Sequence, residues 1–454
     1  MALTKEKRIY LFAEAPIPKA IVTLAVPTLL SQLITMIYNL ADSFFVGRLG
    51  DPYQVAALSL VFPLFMITTM IANLFGIGAN GVISRSLGAA EYEQAKAASA
   101  FAFFGAAVAA VLVSVICAVF LTPMLEVAGA SEMTLGYARD YLKFVLVFGG
   151  LPTILELTLS HLIRAEGNSR QAGFGIMLGG VLNIFLDPIF IFRLKMGVSG
   201  AAAATLISNI VSLVFFFAVI IRTRKESFLS FRPGDIRPGT ALDVLKNGLP
   251  SSMQIVFGST GNIVMTHTAA GFSDMAVASF GILQKFTTMA VHIAVGVSQG
   301  VMPLLGFNYT ARNYSRIRSI NRTIIIGDAA FSAVFLAVVE LFPRAFVSLF
   351  IANPDSISMV VTFVRIGFIG VVGTVLMNYF IVAFQAFGKW KICLFLTFMR
   401  QILIYVPAIL IMSRLWGVYG LAGSFTAAEL TSCVIIAVFF LHLMKRVQIE
   451  ICGE

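Results

Sequence analysis

The chain has few charged residues, and this shortage restricts the classes of protein to which it can belong. Only 12% of its 454 residues are charged, whereas 59% are hydrophobic, and the mean hydropathy is +0.92. Apolar stretches long enough to cross a bilayer recur along the whole chain. These properties exclude the soluble classes and predict an all-α integral membrane protein with many spans.

The chain also lacks the common signatures of enzymes and of covalent or metal-based scaffolds. Its four cysteines show neither paired nor metal-type spacing, so they support neither a disulfide framework nor a zinc site. No nucleotide-binding P-loop, zinc-protease helix or serine-hydrolase elbow occurs. We therefore expect no enzymatic activity and no cofactor, and any transport would have to be driven by an ion gradient.

The apolar runs between polar breaks predict twelve transmembrane helices. They lie at 17–46, 55–78, 95–121, 137–160, 170–192, 197–221, 243–266, 275–300, 316–342, 358–384, 390–412 and 417–444. An even number of spans places both termini on one side of the membrane. Most Lys and Arg residues fall on the segments of that side, so the positive-inside rule predicts cytoplasmic termini in the inner membrane. The same bias accounts for the net charge of +10 without a nucleic-acid partner.

Two halves of the chain resemble each other. Val26-Pro27-Thr-Leu-Leu-Ser-Gln32 recurs as Leu249-Pro250-Ser-Ser-Met-Gln254, and Gly197-Val-Ser-Gly200 recurs as Gly417-Val-Tyr-Gly420. Each half holds six spans, so the halves share one orientation and should be related by a pseudo-twofold axis along the membrane normal. The sequence thus predicts an N-terminal lobe at 1–225, a cytoplasmic loop at 226–242 and a C-terminal lobe at 243–454.

The most informative stretch is Asn183-Ile-Phe-Leu-Asp187-Pro188, which places a carboxylate inside an apolar span. An ionised Asp in hydrocarbon costs several kcal/mol, so such a residue usually faces a cavity and has a function. Asn183 and Asp187 are one turn apart and share a helix face. Pro188 has no N–H for the carbonyl one turn earlier, which opens the backbone beside the acid. Such a cluster of hard oxygens suits a proton or a hard cation.

Flanking charges indicate how deep the polar residues lie. Asp42 and Asp187 each precede an arginine by six residues, which places both ~9 Å along the helix from the outer end of their spans. Thr205 enters from the same side to roughly 15 Å. Asp42, Asn183, Asp187 and Thr205 therefore fall in one layer of the N-terminal half. Two neighbouring carboxylates in a dry cleft must share a proton or bind a cation.

The motifs of the chain, taken together, resemble those of the MATE (multidrug and toxic compound extrusion) transporters. The resemblance covers nearly the full length and rests on these motifs: Ala41-Asp42-Ser-Phe-Phe-Val-Gly47-Arg48-Leu-Gly50, Arg164-Ala-Glu-Gly167-Asn168-Ser169, Asn183-Ile-Phe-Leu-Asp187-Pro188, Gly197-Val-Ser-Gly200 through Thr205, and Leu305-Gly306-Phe-Asn308-Tyr309. It implies two six-helix lobes around a central cavity and export of small organic cations against Na⁺ or H⁺, by a monomer in a lipid bilayer. The family's cation site would fall on Asp42, Asn183, Asp187 and Thr205. Spans seven and ten depart from the family pattern, since they offer Gln254, Asn262 and Asn378 where some members have carboxylates.

Other residues are weaker candidates. For substrate binding we select Tyr38, one turn before Asp42, together with Gln32, Met177 and Glu156, the last of which could instead pair with Arg164. Aromatic and thioether side chains can adapt to varied organic cations.

The C-terminal half should contain three buried charges near the midplane, Lys285, Arg400 and Glu429. Arg400 and Glu429 lie on consecutive antiparallel spans and could form an ion pair. Lys285 could exchange partners as the lobe moves.

Two alternatives to a multidrug exporter stay open. A flippase for lipid-linked precursors would favour a strongly cationic cavity that holds pyrophosphate, whereas the N-terminal half here is acidic. A membrane enzyme or scaffold is the alternative from another class. The sequence does not distinguish Na⁺ from H⁺ as the coupling ion, because the same oxygens serve both.

Overall fold

The computed structural model describes residues 4–348 and 354–452, and every regular element in these two ranges is helical. The first half contains α1 Lys5–Ala13, α2 Ile17–Gly47, α3 Pro52–Gly88, α4 Tyr92–Val127, α5 Glu132–Leu142, α6 Gly150–Ala165, α7 Ser169–Pro188 and α8 Val198–Thr223. The second half contains α9 Pro238–Ala270, α10 Asp274–Thr310, α11 Tyr314–Leu341, α12 Pro343–Ser348, α13 Pro354–Phe368, α14 Val371–Ala386, α15 Trp390–Phe398 and α16 Val406–Cys452. Turns of π-helix lie at Lys143–Phe148, Ile189–Arg193 and Met399–Tyr405, and a short 3-10 turn lies at Pro233–Asp235.

These helices account for the predicted spans. In the described ranges, nine helical runs are long and apolar enough to cross a membrane, and a bent pair brings the number to ten. That pair, Glu132–Phe148 with Gly150–Ala165, bends by 50° inside predicted span four. The last run, Trp390–Glu450, contains predicted spans eleven and twelve. Helix α9, which contains predicted span seven, is not among the ten and carries polar residues along its length.

The boundary between spans eleven and twelve is a single glycine. Gly417 has φ +59° and ψ −138° within the last helical run, a combination adopted almost only by glycine. Gly197, which precedes α8, has φ +59° and ψ −139°. The two glycines occupy equivalent positions in the predicted repeat. The similarity of the two halves therefore extends to an unusual backbone conformation.

Local hydrogen bonds explain why α3 begins where it does and tie it to α8. The Asp51 carboxylate accepts a hydrogen bond from the Tyr53 N–H at 2.9 Å, and Pro52 occupies the first helical position. Gln54 donates to Asp51 at 3.1 Å and accepts from the Val198 N–H at 2.8 Å. The hydrogen bond from Gln54, with that from Tyr53, lowers the pKa of Asp51. The starts of α3 and α8 are thus linked directly by the Gln54 side chain.

The chain forms two compact units. Unit 1 consists of Met1–Ser252 and Gly300–Ala311, and unit 2 of Met253–Gln299 and Arg312–Glu454. These divisions differ from the predicted lobe boundaries, because unit 1 also takes the start of α9 and the end of α10.

Hydrogen bonds hold these two helix ends in unit 1. The Ser252 hydroxyl donates to the Met70 carbonyl at 2.8 Å, and the Thr310 hydroxyl donates to the Arg85 carbonyl at 2.6 Å. The backbones also approach closely: a Cβ built on Gly248 would lie 1.9 Å from the Leu74 carbonyl oxygen. Glycine is therefore required where α9 crosses α3.

The N-terminal helix α1 is bound firmly to unit 1. Arg8, which is fully buried, forms an ion pair with Glu166 at 2.7 Å. The Phe12 carbonyl accepts a hydrogen bond from the Asn308 side chain at 3.1 Å, and the Phe12 ring lies 5.3 Å from that of Phe307. A nine-residue helix that would be marginal alone is thus stabilised by contacts with distant parts of the chain.

Candidate functional site

The four residues predicted to bind the coupling ion come together in unit 1. Asp42 lies on α2, Asn183 and Asp187 lie one turn apart on α7, and Thr205 lies on α8. Because α7 packs against both α2 and α8, the side chains of three helices converge at one place. All four side chains are buried.

Hydrogen bonds connect the cluster through Asn183. Its side-chain N–H₂ group donates to Asp187 Oδ1 and to Thr205 Oγ1, both at 3.3 Å. The Thr205 hydroxyl in turn donates to the Ala201 carbonyl at 3.1 Å. The Asp42 carboxylate lies close to both Asp187 and Asn183. Thr205 therefore orients the amide, and the two carboxylates face each other.

Three oxygens of the cluster have no hydrogen-bond partner among the described residues. They are Asp42 Oδ1, Asn183 Oδ1 and Asp187 Oδ2, and each is buried. Two ionised carboxylates at this separation repel each other, and burial makes each charge more costly. The pair must hold a shared proton or a bound cation. The donor set is composed of hard oxygens, which fits either species.

The backbone changes geometry directly after the site. Helix α7 ends at Pro188, and a π-helical turn follows at Ile189–Arg193. Proline supplies no N–H to the preceding turn, so the regular hydrogen-bond ladder is interrupted beside Asp187. Such π-helical turns are frequent at functional sites.

A tyrosine that the sequence analysis did not select belongs to the same neighbourhood. Tyr141 of α5 is buried, and its hydroxyl lies close enough to Asp42, Asp187 and Tyr38 for their charges to act on it. Its sequence context, between Asp140 and Leu142, resembles the polar outer end of a span. The bend between α5 and α6 turns this end toward the cluster, and no pattern in the sequence predicts that bend.

The residues predicted to bind substrate lie in the same unit but differ in accessibility. Tyr38, Gln32 and Met177 are half-buried, whereas Glu156 is buried. Tyr38 packs against Gly180 and lies near both Glu156 and Asp42. Tyr38 is therefore close both to Glu156, in the inner half, and to Asp42 of the outer acidic pair Asp42–Asp187.

Glu156 does not pair with Arg164. It lies close to Ser212 of α8, and Arg164 instead contacts His161 Nδ1 at 3.2 Å. Eight residues of α6 separate Glu156 from Arg164, and this distance along the helix is too great for direct contact.

In unit 2 the structure shows a buried ion pair between Arg400 and Glu429. The guanidinium donates from Nε to Oε1 at 3.1 Å and from Nη2 to Oε2 at 2.8 Å, and the Thr374 hydroxyl donates to Glu429 at 2.7 Å. This two-pronged geometry fits a planar guanidinium to a carboxylate. It supports a structural role for the pair.

The prediction that Lys285 is buried is wrong. Its side chain is exposed, as are Gly281 and Thr288 on the same face of α10. Counting residues along a span gives depth in the membrane, but it does not say which face of the helix the protein covers.

Comparisons with known proteins identify the family that the chain matches. The MatE family model matches residues 27–189 and 250–411. The chain is 29% identical over 445 residues to the multidrug export protein MepA of Staphylococcus haemolyticus and 28% identical over 442 residues to that of Staphylococcus aureus, with 97% of each chain covered.

Solved structures share the fold. A MATE structure in complex with MaL6 superposes with a TM-score of 0.91 at 24% identity, covering 97% of this chain and 99% of that one. A MOP superfamily transporter from Pyrococcus furiosus gives a TM-score of 0.91 at 23% identity, covering 98% and 100%. These likenesses confirm the predicted fold class, an all-α membrane protein of two six-helix lobes.

Proposed function

This chain belongs to the MATE family, and on that premise we propose that it is a secondary active multidrug exporter. It moves small organic cations across the inner membrane against entry of Na⁺ or H⁺, as a monomer. The relatives that it matches over 97% of its length are multidrug export proteins. This similarity supports export but leaves the coupling ion and the substrate to be argued from the site.

The observation that carries the proposal is the buried pair Asp42–Asp187. A structural role would leave the oxygens of such a pair satisfied by hydrogen bonds or by basic residues. Three oxygens in the cluster have no hydrogen-bond partner, and no ion pair among the described residues includes either acid. An arrangement of this kind is suited to binding and releasing a positive charge.

The coupling step follows from the charge of this pair. With one proton or one Na⁺ bound, the pair carries one negative charge instead of two, which lowers the cost of keeping the cluster dry. Without it, the excess negative charge favours a conformation that admits water or a cationic drug. An ion gradient can drive export only because the ion binds one conformation more tightly than the other.

The drug would bind next to this pair, on its inner side. Tyr38 offers an aromatic face to a cation, and Glu156 offers a second carboxylate. Gln32 and Met177 are accessible enough to contribute further surface. Occupation of the acids by the coupling ion would remove the charge that attracts the drug, so the two ligands compete electrostatically.

The acidic character of the candidate site argues against the flippase alternative. Asp42, Asp187 and Glu156 are all buried in this unit. A pyrophosphate group would be repelled by these acids. The similarity to multidrug export proteins favours a transporter over the membrane-enzyme alternative.

The test is efflux from proteoliposomes that contain the purified protein and a fluorescent organic cation. A Na⁺ gradient and a pH gradient are imposed separately, with Asp187→Asn as the matched control. We expect one of the two gradients to drive efflux by the wild-type protein and neither to drive it in the variant. If neither gradient moves any organic cation through the wild-type protein, the exporter proposal fails.

A further inference from the structure

Unit 2 contains an acidic residue that has no place in the mechanism above. Asp328 lies near the middle of the 28-residue helix α11, ~20 Å along the helix from either end. The basic residues Arg316, Arg318 and Arg322 all lie toward the start of the helix. Asp328 is therefore at the depth where a charge costs most.

The side chain of Asp328 is buried and lacks a basic partner. It is 5% exposed, and its Oδ2 atom has no hydrogen-bond partner in the described part of the chain. By contrast, the buried Glu429 of the same unit is paired with Arg400. On α11 itself, Glu340 pairs with Arg365 at 2.6 Å. Among the described acids of unit 2 that are buried, Asp328 alone has no cation beside it.

The surroundings of Asp328 are polar but neutral. Asn321 lies two turns before it and Ser332 one turn after it, so the three form one strip on the buried face of α11. The Tyr379 hydroxyl, from α14, donates to Asn321 Oδ1 and lies close enough to Asp328 for its charge to act on the phenol. Tyr379 is fully buried and packs against Phe440 of α16.

Among the described residues of the other helices that pack on α11, no charged group forms an ion pair with the strip. On α12 the residue Arg344 is exposed, and on α13 Arg365 is engaged by Glu340. On α16 His442 is exposed, and Met444 contacts the Asn321 amide at 3.2 Å. An ionised Asp328 would therefore be an uncompensated charge in the interior, which costs several kcal/mol and favours the neutral, protonated form.

A proton neutralises Asp328 better than a metal ion would. Na⁺ prefers several oxygen ligands, as hard cations do. Here the Asn321 oxygen is occupied by Tyr379, and the Ser332 hydroxyl donates to the Asp328 carbonyl at 2.8 Å. One carboxylate oxygen without a partner is enough to hold a proton, and the O–H formed is neutral.

We propose that Asp328 is a proton-binding site of unit 2, separate from the Asp42–Asp187 pair. In this conformation the carboxyl group is protonated. It releases its proton only when α11 and α14 separate enough for water to reach the strip of Asn321, Asp328 and Ser332. Binding is a simple protonation, in which the carboxylate gains one O–H bond. The occupancy of the site does not depend on the proposed export activity, whereas a link between proton release and export would rest on it.

The test is infrared titration of the purified full-length protein in lipid nanodiscs, which detects the carbonyl stretch of protonated carboxyl groups. The wild-type protein should show a band at neutral pH that is absent from Asp328→Asn. Glu340→Gln, which changes an ion-paired acid on the same helix, should keep the band. Asp328→Glu keeps a carboxyl group and should shift the band, which provides a test if Asp328→Asn does not fold.

Proton counting gives an independent readout. When the pH is raised from neutral, Asp328→Asn should release fewer protons than the wild-type protein, as measured with a pH-indicator dye. In the infrared experiment, Asp42→Asn should keep the band of Asp328. Identical spectra and proton release in wild-type and Asp328→Asn would overturn the proposal. Absence of drug efflux by the wild-type protein, with the infrared band present, would instead contradict the proposed export function, so the two failures can be told apart.

Discussion

Asp42 of α2 and Asp187 of α7 lie side by side in the buried cluster, and each has one buried oxygen without a hydrogen-bond partner in the described structure. Two acids in this relationship act as one titrating unit, since the charge of either depends on the state of the other. Changes at either position should therefore have the same functional consequence.

We expect Asp187→Asn to abolish gradient-driven efflux while drug binding stays measurable. The amide keeps the volume and the hydrogen bond with Asn183, so the fold should survive, but the charge that binds the coupling ion is lost. Asp42→Asn should behave nearly the same, and the double variant should be little worse than either. The measurements are efflux from cells and a drug-binding assay on purified protein. Asp51→Asn, at an exposed helix cap, is the control and should export normally. Normal efflux by Asp187→Asn at wild-type expression would remove the pair from the mechanism.

Because Arg400 and Glu429 form a buried ion pair, we expect the double variant to be more stable than the single variant Arg400→Met. Arg400→Met leaves Glu429 buried with only Thr374 as a partner, which should destabilise the protein by about 3–5 kcal/mol. Changing Glu429 to Met as well removes the unpaired charge and should recover much of that loss. Unfolding in detergent, followed by tryptophan fluorescence or heat, measures both. Equal losses in the single and the double variant would show that the pair is not energetically coupled.

Arg8→Met should destabilise less than Arg400→Met, although both remove a buried cation. Glu166, the partner of Arg8, also accepts hydrogen bonds from Ser227 at 2.8 Å, from the Phe228 N–H at 3.1 Å and from Asn168 at 3.1 Å. These donors continue to solvate the carboxylate after Arg8 is lost. The two single variants are compared under one denaturation protocol. A larger loss for Arg8→Met would mean that these donors do not compensate for the missing charge.

The two equivalent glycines predict unequal effects of one substitution. At Gly417 a Cβ would meet only Phe272 at 3.9 Å. Gly417→Ala should therefore destabilise the protein only through backbone strain, by about 1–3 kcal/mol. At Gly197 the Cβ would also lie 2.5 Å from Gln54 Oε1, which is fixed by its hydrogen bond with Val198. Gly197→Ala should therefore cost more. Melting temperatures of the two variants decide the order, and a smaller loss at Gly197 would contradict this reasoning.

The sequence predicted that four polar residues of the N-terminal half would come together, because charged residues near the ends of a span indicate how deep the other residues of that span lie in the membrane. Asp42, Asn183, Asp187 and Thr205 could be assigned to one layer, and periodicity placed Asn183 and Asp187 on one face. The same reasoning was wrong for Lys285, since depth carries no information about which face is covered.

Asp328 and Tyr141 were missed for related reasons. Asp328 has no polar neighbour at helical spacing except Asn321 and Ser332, which are common in buried helices. Tyr141 reaches the cluster only through the bend between α5 and α6. Such contacts depend on how helices pack against each other, which a single sequence does not encode in a readable pattern.

The contacts of helix α1 have a consequence for the order in which the protein is built. Lys5–Ala13 leaves the ribosome well before its partners Glu166 and Asn308 are synthesised. The helix therefore cannot make these contacts until α10, which carries Asn308, is in place. A bulky fusion at the N-terminus would interfere with this late docking step, whereas the same fusion at the C-terminus would leave it undisturbed.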